Sequence, residues 1–336
     1  MNSHTIPQKL LVQFAYYHAL TKSPRLWRYE KGMRPYPKAC LKNATAFEGY
    51  FVDPDNPTKE NEIETRLAYE FENPVHRFLS DIGNPSFALT DTQRRQMTLY
   101  LTLLFWRSEA IRKSRKHYQN VTLQAIRQFL SNEVQILTVT SKWNIDLFLK
   151  GRPEHFLKTK ERIVRTVKNL QKNYQTERNR QKSYLVTIER WMAYFDDAIY
   201  RGQWGFLKTS ADNPFIISDA PVITWERNGA GILSYGIGFR SPNVEVFLPL
   251  SPLVCLHIMP NVDRTCPVKQ PTVREVNIAQ AAFAHKYCFT NIESTQIDEI
   301  MQRNFGRAET GIKAFTVWHI DYSNAVYELL MNFKNG

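Results

Sequence analysis

The chain has 336 residues, 43% of them hydrophobic, and carries 44 Lys/Arg against 32 Asp/Glu for a net charge of +12. That balance excludes a disordered chain and leaves room for one large domain or two of ordinary size. The longest strongly apolar run, near LYLTLLFW, is about 8 residues where a spanning helix needs roughly 20, which excludes a membrane-spanning protein.

The start, MNSHTIPQKLLVQF, lacks the basic segment, apolar core and small-residue cleavage site of a signal peptide, so a cytoplasmic protein is expected. Cys40, Cys255, Cys266 and Cys288 lie far apart with no CxxC pair, which argues against a zinc site or a disulfide framework. The basic balance favours a polyanionic partner such as nucleic acid, RNA or DNA.

Residues 1–60 read as an N-terminal arm with short strands, among them LWRY. His4 and Gln8 either lay an imidazole and an amide into a site or are exposed groups on a mobile terminus. From Glu60 the pattern turns helical. Ile63, Leu67, Phe71 and Val75 recur at every fourth position as a buried stripe, with Glu64 beside it and Asn73-Pro74 as a kink or break. A carboxylate bordering an apolar face is either a metal ligand or general base, or an ion-pair partner at the rim of the core. Thr90 and Gln93 have the spacing of a capping box at the head of the next helix, and Val121-Thr122 is expected to start another. Residues 61–200 therefore read as a helical bundle.

Between Lys150 and Arg190 twelve Lys/Arg face four Glu, a net +8, which is two-thirds of the chain's excess charge. Helical spacing gathers Phe156, Ile163, Val167, Leu170 and Tyr174 on a packing face. It leaves Lys158, Arg162, Arg165, Lys168 and Lys172 toward solvent, where they either track phosphates or simply solvate the helix. After Arg201-Gly202 the composition turns β-rich. FII, VITW, VEVFLPL and LVCLHIM are strand signals bounded by turn residues, and Gly229-Ala230-Gly231 has hairpin character. VREVNIAQAAFAHKYCF and STQIDEIMQRNF read as helices, and AFTVWHIDY as a last strand. Residues 201–336 form a mixed α/β portion of one integrated α+β fold.

Ser218 and Asp219 fall where the FII strand breaks into a turn, a position that suits chemistry and turn capping equally. No Walker loop, GxGxxG, HExxH or GxSxG stands in a suitable context. Two catalytic constellations remain. Asp219 with Glu64, joined by His4 as acid/base or ligand, would hold a divalent ion (Mg²⁺ or Mn²⁺) that activates water against a phosphodiester. Arg112 and His117, near the end of a bundle helix, resemble the motif of metal-independent HEPN ribonucleases, in which His and Arg support attack by the ribose 2′-hydroxyl.

His4-Thr-Ile-Pro7-Gln8 with LLVQF, the IETRLAYE helix, FIISDAPV, FLPLSP and VREVNIAQAAFAHKYCF together resemble the domain-of-unknown-function family 4238, nearly end to end. Ala220 stands where the family has Asn before the proline, and Ser3 where it has a first histidine. The resemblance implies a bacterial, intracellular protein and groups His4, Gln8, Glu64, Ser218 and Asp219 in one site; it brings no established activity. The leading expectation is a nucleic-acid-directed enzyme, a metal-dependent phosphodiesterase or nuclease of bacterial defence or toxin type. The competing expectation is a non-catalytic module that binds nucleic acid or protein.

Overall fold

The computed structural model describes residues 2–20, 22–38, 44–48, 51, 53–56, 60–84, 86–146, 153–179, 181–182, 185, 197–227, 233–235, 239, 243–260 and 270–308. Helices and antiparallel sheets make an α+β protein. The chain forms two compact units, one of Met1–Arg112 with Leu185–Ile312 and the other of Lys113–Tyr184 with Lys313–Gly336.

In the first unit the N-terminus is a strand. β1 (Asn2–His4) pairs with β5 (Ala46–Glu48), setting His4 opposite Ala46. Pro7 caps the short helix α1 (Gln8–Val12), whose Leu10 and Leu11 enter the core. β2 (Tyr16–Tyr17), β3 (Pro24–Glu30) and β4 (Tyr36–Lys38) follow, and β3 contains the LWRY segment.

The helix after Glu60 is not uniform. α2 (Glu60–Arg66) passes into a π-helical segment, Leu67–Glu72, and then into α3 (Asn73–His76). The fourfold stripe gives the physical reason. In an α-helix each step of four overshoots a turn by about 40°, so three steps would carry the stripe roughly 120° around. The wider π turn absorbs that drift, and Ile63, Leu67, Phe71 and Val75 are all buried. A 3₁₀ turn, Leu79–Gly83, leads on to α4 (Asp91–Trp106). α4 opens with the expected capping box: Gln93 N–H donates to Thr90 Oγ1 at 3.2 Å, and Thr90 N–H to Gln93 Oε1 at 2.9 Å.

The β-rich part begins after α8 (Asp197–Arg201). Gly202 occupies the junction because a Cβ there would lie 2.9 Å from the Met259 carbonyl oxygen. β6 (Gln203–Lys208), β8 (Ile223–Arg227), β9 (Leu233–Tyr235), β10 (Val244–Ser251) and β11 (Val254–Met259) form a sheet ordered β6-β11-β10-β8-β9. β10 is buried on both faces, as its unbroken apolar run requires. Val246, Leu248 and Leu250 share a core with Met97, Tyr100, Leu101 and Leu104 of α4. On the other face Phe247 joins Trp225, Cys255 and residues of helix α9 (Val273–Phe283). A second sheet runs β2-β3-β12-β7, with β7 (Ile217–Ser218), β12 (Tyr287–Thr290) and β4 beside β3.

Three sequence expectations are corrected. α5 (Glu109–Ser131) runs unbroken through Val121-Thr122, and the break comes at Asn132, whose side chain accepts from Gln135 N–H as α6 (Glu133–Asp146) starts. The segment VREVNIAQAAFAHKYCF is not one helix, because α9 ends at Phe283 and Tyr287–Thr290 is β12. Of the FII run only Ile217 is in a strand, the two-residue Ile217–Ser218. α10 (Thr295–Asn304) follows β12. The Gly229–Gly231 turn and the AFTVWHIDY run lie outside the described residues.

The second unit contains most of α5, with α6 and α7 (Pro153–Gln175). Ile126 and Phe129, Ile136 and Val139, and Ile163, Val167 and Leu170 form its core.

Candidate functional site

The Ser218–Asp219 turn is where the two sheets and α9 are tied together, and its geometry follows from backbone groups that the turn leaves without sheet partners. Asp219 is fully buried. Its Oδ1 accepts from His285 N–H at 2.7 Å, and its Oδ2 from Lys286 N–H at 2.6 Å and Tyr287 N–H at 3.2 Å. Asp219 N–H in turn donates to the Tyr287 carbonyl at 3.0 Å. These donors stop α9 and start β12. Burial pushes the Asp219 carboxyl up to about 7, while the three amides hold the ionised form and act the other way.

α9 supplies the rest of the grip. Asn277 accepts from Ile216 N–H at 3.0 Å and donates to the Pro214 carbonyl at 2.9 Å. One turn on, Gln280 accepts from Ser218 N–H at 2.9 Å and from Ser218 Oγ at 2.7 Å, and donates to the Pro221 carbonyl at 2.8 Å. Two amides at i and i+3 thus satisfy an extended strip of buried backbone, as buried polar groups require.

Glu64 belongs to a second cluster, centred on a residue that the sequence reading did not single out. Arg107, 1% exposed, ends the apolar run of α4. Its Nη1 donates to Glu72 Oε1 at 2.6 Å and its Nε to the Thr5 carbonyl at 3.0 Å, the residue after His4. Burial works against its charge, but Glu72 and then Glu64 outweigh it and hold its pKa above the ordinary value. The polar N-terminal motif and the Glu64–Glu72 helix therefore converge on one guanidinium. The only signal for this in the sequence is the charged residue closing LTLLFWR.

His76 lies beside this cluster, edge-on to Tyr100 at 5.7 Å between ring centroids, with Nε2 3.4 Å from the Tyr100 hydroxyl. Burial lowers its pKa to about 4. Neutral His76 therefore supports the fold fully above about 6.5, and that support is lost as pH falls toward 4. The loss should come to about 2 kcal/mol once the partial exposure of the ring is allowed for. The check is the urea midpoint of the parent minus that of His76→Gln, followed from pH 7.5 to 4.5: the difference should shrink on acidification, and a constant difference would refute it.

Among the described residues, the carboxylate that raises Asp219 is Glu109, and the group that Glu64 raises is Arg107. Asp219 is held by three backbone amides, whereas Glu64 acts on the Arg107 guanidinium. No group of three or more His, Cys, Asp or Glu gathers for a metal among the described residues. Gln8 begins α1, half-buried. The side chains of His4 and His117 lie outside the described residues, and Arg112 pairs with Glu109 at 3.5 Å. Sequence reading also missed a buried network in which Glu245 accepts from Trp225 Nε1 at 3.0 Å and from His257 Nε2 at 2.8 Å.

In the second unit, Lys158, Arg162, Arg165, Lys168 and Lys172 are all exposed on α7. At 100° per residue they fall within about 120° of one another, opposite the buried Ile163, Val167 and Leu170. Lys160 is the cation of α7 that pairs, with Glu133 of α6. Among the described residues no acidic side chain pairs with the other five.

These features define a two-unit α+β protein with a buried polar tie in one unit and a cationic helix face in the other. A family model described as "protein of unknown function (DUF4238)" matches residues 2–294, and the chain belongs to that family. No curated protein and no solved structure matches it. No helix among the described residues is long and apolar enough to cross a membrane.

Proposed function

We propose that the protein binds nucleic acid through the exposed face of α7. The observation that carries this reading is the stripe of Lys158, Arg162, Arg165, Lys168 and Lys172, exposed and without ion-pair partners among the described residues. Glu161, four residues before Arg165, is the one exposed acid on that face among the described side chains, so five cations outnumber a single carboxylate, and that excess attracts a polyanion and releases its counterions.

Replacing Arg162 and Arg165 by Glu should weaken binding more than tenfold and make the slope of log K against log salt shallower by about 2. Both side chains are exposed, so the fold should survive. Fluorescence anisotropy with labelled DNA and RNA across a salt series tests this, and an unchanged affinity would sink the reading.

The metal-dependent phosphodiesterase reading stands second. It needs Mg²⁺ or Mn²⁺ held by Glu64 and Asp219, with His4 as acid/base, and the amide donors on Asp219 and the guanidinium beside Glu64 compete for those oxygens. Incubating labelled RNA and DNA with the protein in Mg²⁺, Mn²⁺ or EDTA separates the two. Salt-sensitive binding without cleavage is the expected result, and cleavage only with metal would put the carboxylates first.

A further inference from the structure

Resting on the nucleic-acid-binding reading, we infer that the partner is a double-stranded nucleic acid, held by its phosphates without regard to sequence. The stripe from Lys158 to Lys172 lies on one unbroken α-helix, so its Cα atoms span about 21 Å with steps of about 4.5–6 Å. α7 is anchored along its other side by Ile163, Val167 and Leu170, which fixes the row of cations as a straight, rigid edge.

A duplex offers such an edge a matching object. It carries one charge per roughly 1.7 Å of axis, about twelve over the length of the stripe, on a backbone that needs no ordering to be bound. A single strand must be straightened against the helix, and proteins that bind it supply aromatic platforms on which bases stack. Among the described side chains of α7 between Leu157 and Gln175, the others exposed are Glu161, on the same face, and Asn169. No aromatic stands among the described exposed side chains of the helix, so those side chains offer bases no stacking platform. Five cationic side chains along such an edge would reach phosphate and sugar, contacts that position a partner but carry no sequence information.

The test uses the full-length protein and fluorescence anisotropy. The probes are two unrelated duplex DNAs of about 20 base pairs, their separated strands, and a duplex RNA of one of those sequences. At moderate salt either duplex should bind about tenfold or more tighter than its strands, the two DNA duplexes should agree within about threefold, and log K should fall against log salt with a slope of roughly −4 to −5. Arg162→Glu/Arg165→Glu should lower duplex affinity and that slope together.

Tighter binding of the single strands, sensitive to the same substitutions, would overturn the duplex inference and leave nucleic-acid binding standing. A strong preference for one DNA sequence would overturn the sequence-independent grip. No binding of any nucleic acid would overturn both. So would binding only to phosphatidylcholine vesicles with about 30% phosphatidylserine, since the stripe would then serve an anionic surface.

Discussion

Replacing Arg107 by methionine should destabilise the unit that holds it by about 3–5 kcal/mol, the cost of breaking a buried ion pair from one side. The guanidinium is the meeting point of three segments distant in sequence. Its loss leaves Glu72 desolvated with Glu64 near it and takes away the donor on the Thr5 carbonyl. Thermal unfolding followed by circular dichroism should show the transition of that unit lowered by roughly 10 °C. Adding Glu72→Met should restore part of the loss, because the double variant no longer strands a charge. A single variant that melts within 2 °C of the parent would mean that the N-terminal strand and the π-helical segment are held by their apolar contacts alone.

Asp219→Asn should cost about 2–4 kcal/mol, although it changes a single atom of the side chain. An asparagine oxygen can still accept from His285, but its amino group then faces the amides of Lys286 and Tyr287, donor against donor. The turn between α9 and β12 loses its lock, and β7 and β3, which flank β12, lose their alignment with it. Urea unfolding of Asp219→Asn and Asp219→Ala measures this. Unaltered stability in both would return Asp219 to the candidates for chemistry, because a buried carboxylate with no structural role is costly to keep.

What the sequence made legible is what repeats or caps. The Thr90 capping box, the stripe from Ile63 to Val75 and, on α7, Ile163, Val167 and Leu170 opposite the cations are periodic or local signals that stand where their spacing places them; Phe156 is only half-buried, and the Tyr174 side chain lies outside the described residues. The family was also legible, because short motifs in fixed order survive without any account of what they do. The partners of the polar residues were not legible. Asp219 is bonded to amides 66 to 68 residues away and Arg107 to a carbonyl 102 residues away, separations that no local pattern encodes. The expected helix through Tyr287 failed for the same reason: its apolar periodicity continues past Phe283, while the amides of His285, Lys286 and Tyr287 bond to the distant Asp219 carboxylate. The π-helical turn was half-visible: a repeat of four is already too long for an α-helix.

The side-chain amides of α9 carry one more consequence, for the order of events as the chain folds. Every bond that Asn277 and Gln280 make to the 214–221 strip closes a loop of 59 to 63 residues, with strands β8 to β11 inside it. The strip therefore cannot settle when it leaves the ribosome, nor when its neighbours in sequence pair. Its two-residue strand has too few ladder bonds to hold itself, and ring closure over that length is entropically costly. The buried Ser218–Asp219 turn is therefore expected to act as a latch that closes late, after β8 to β11 and α9 are in place.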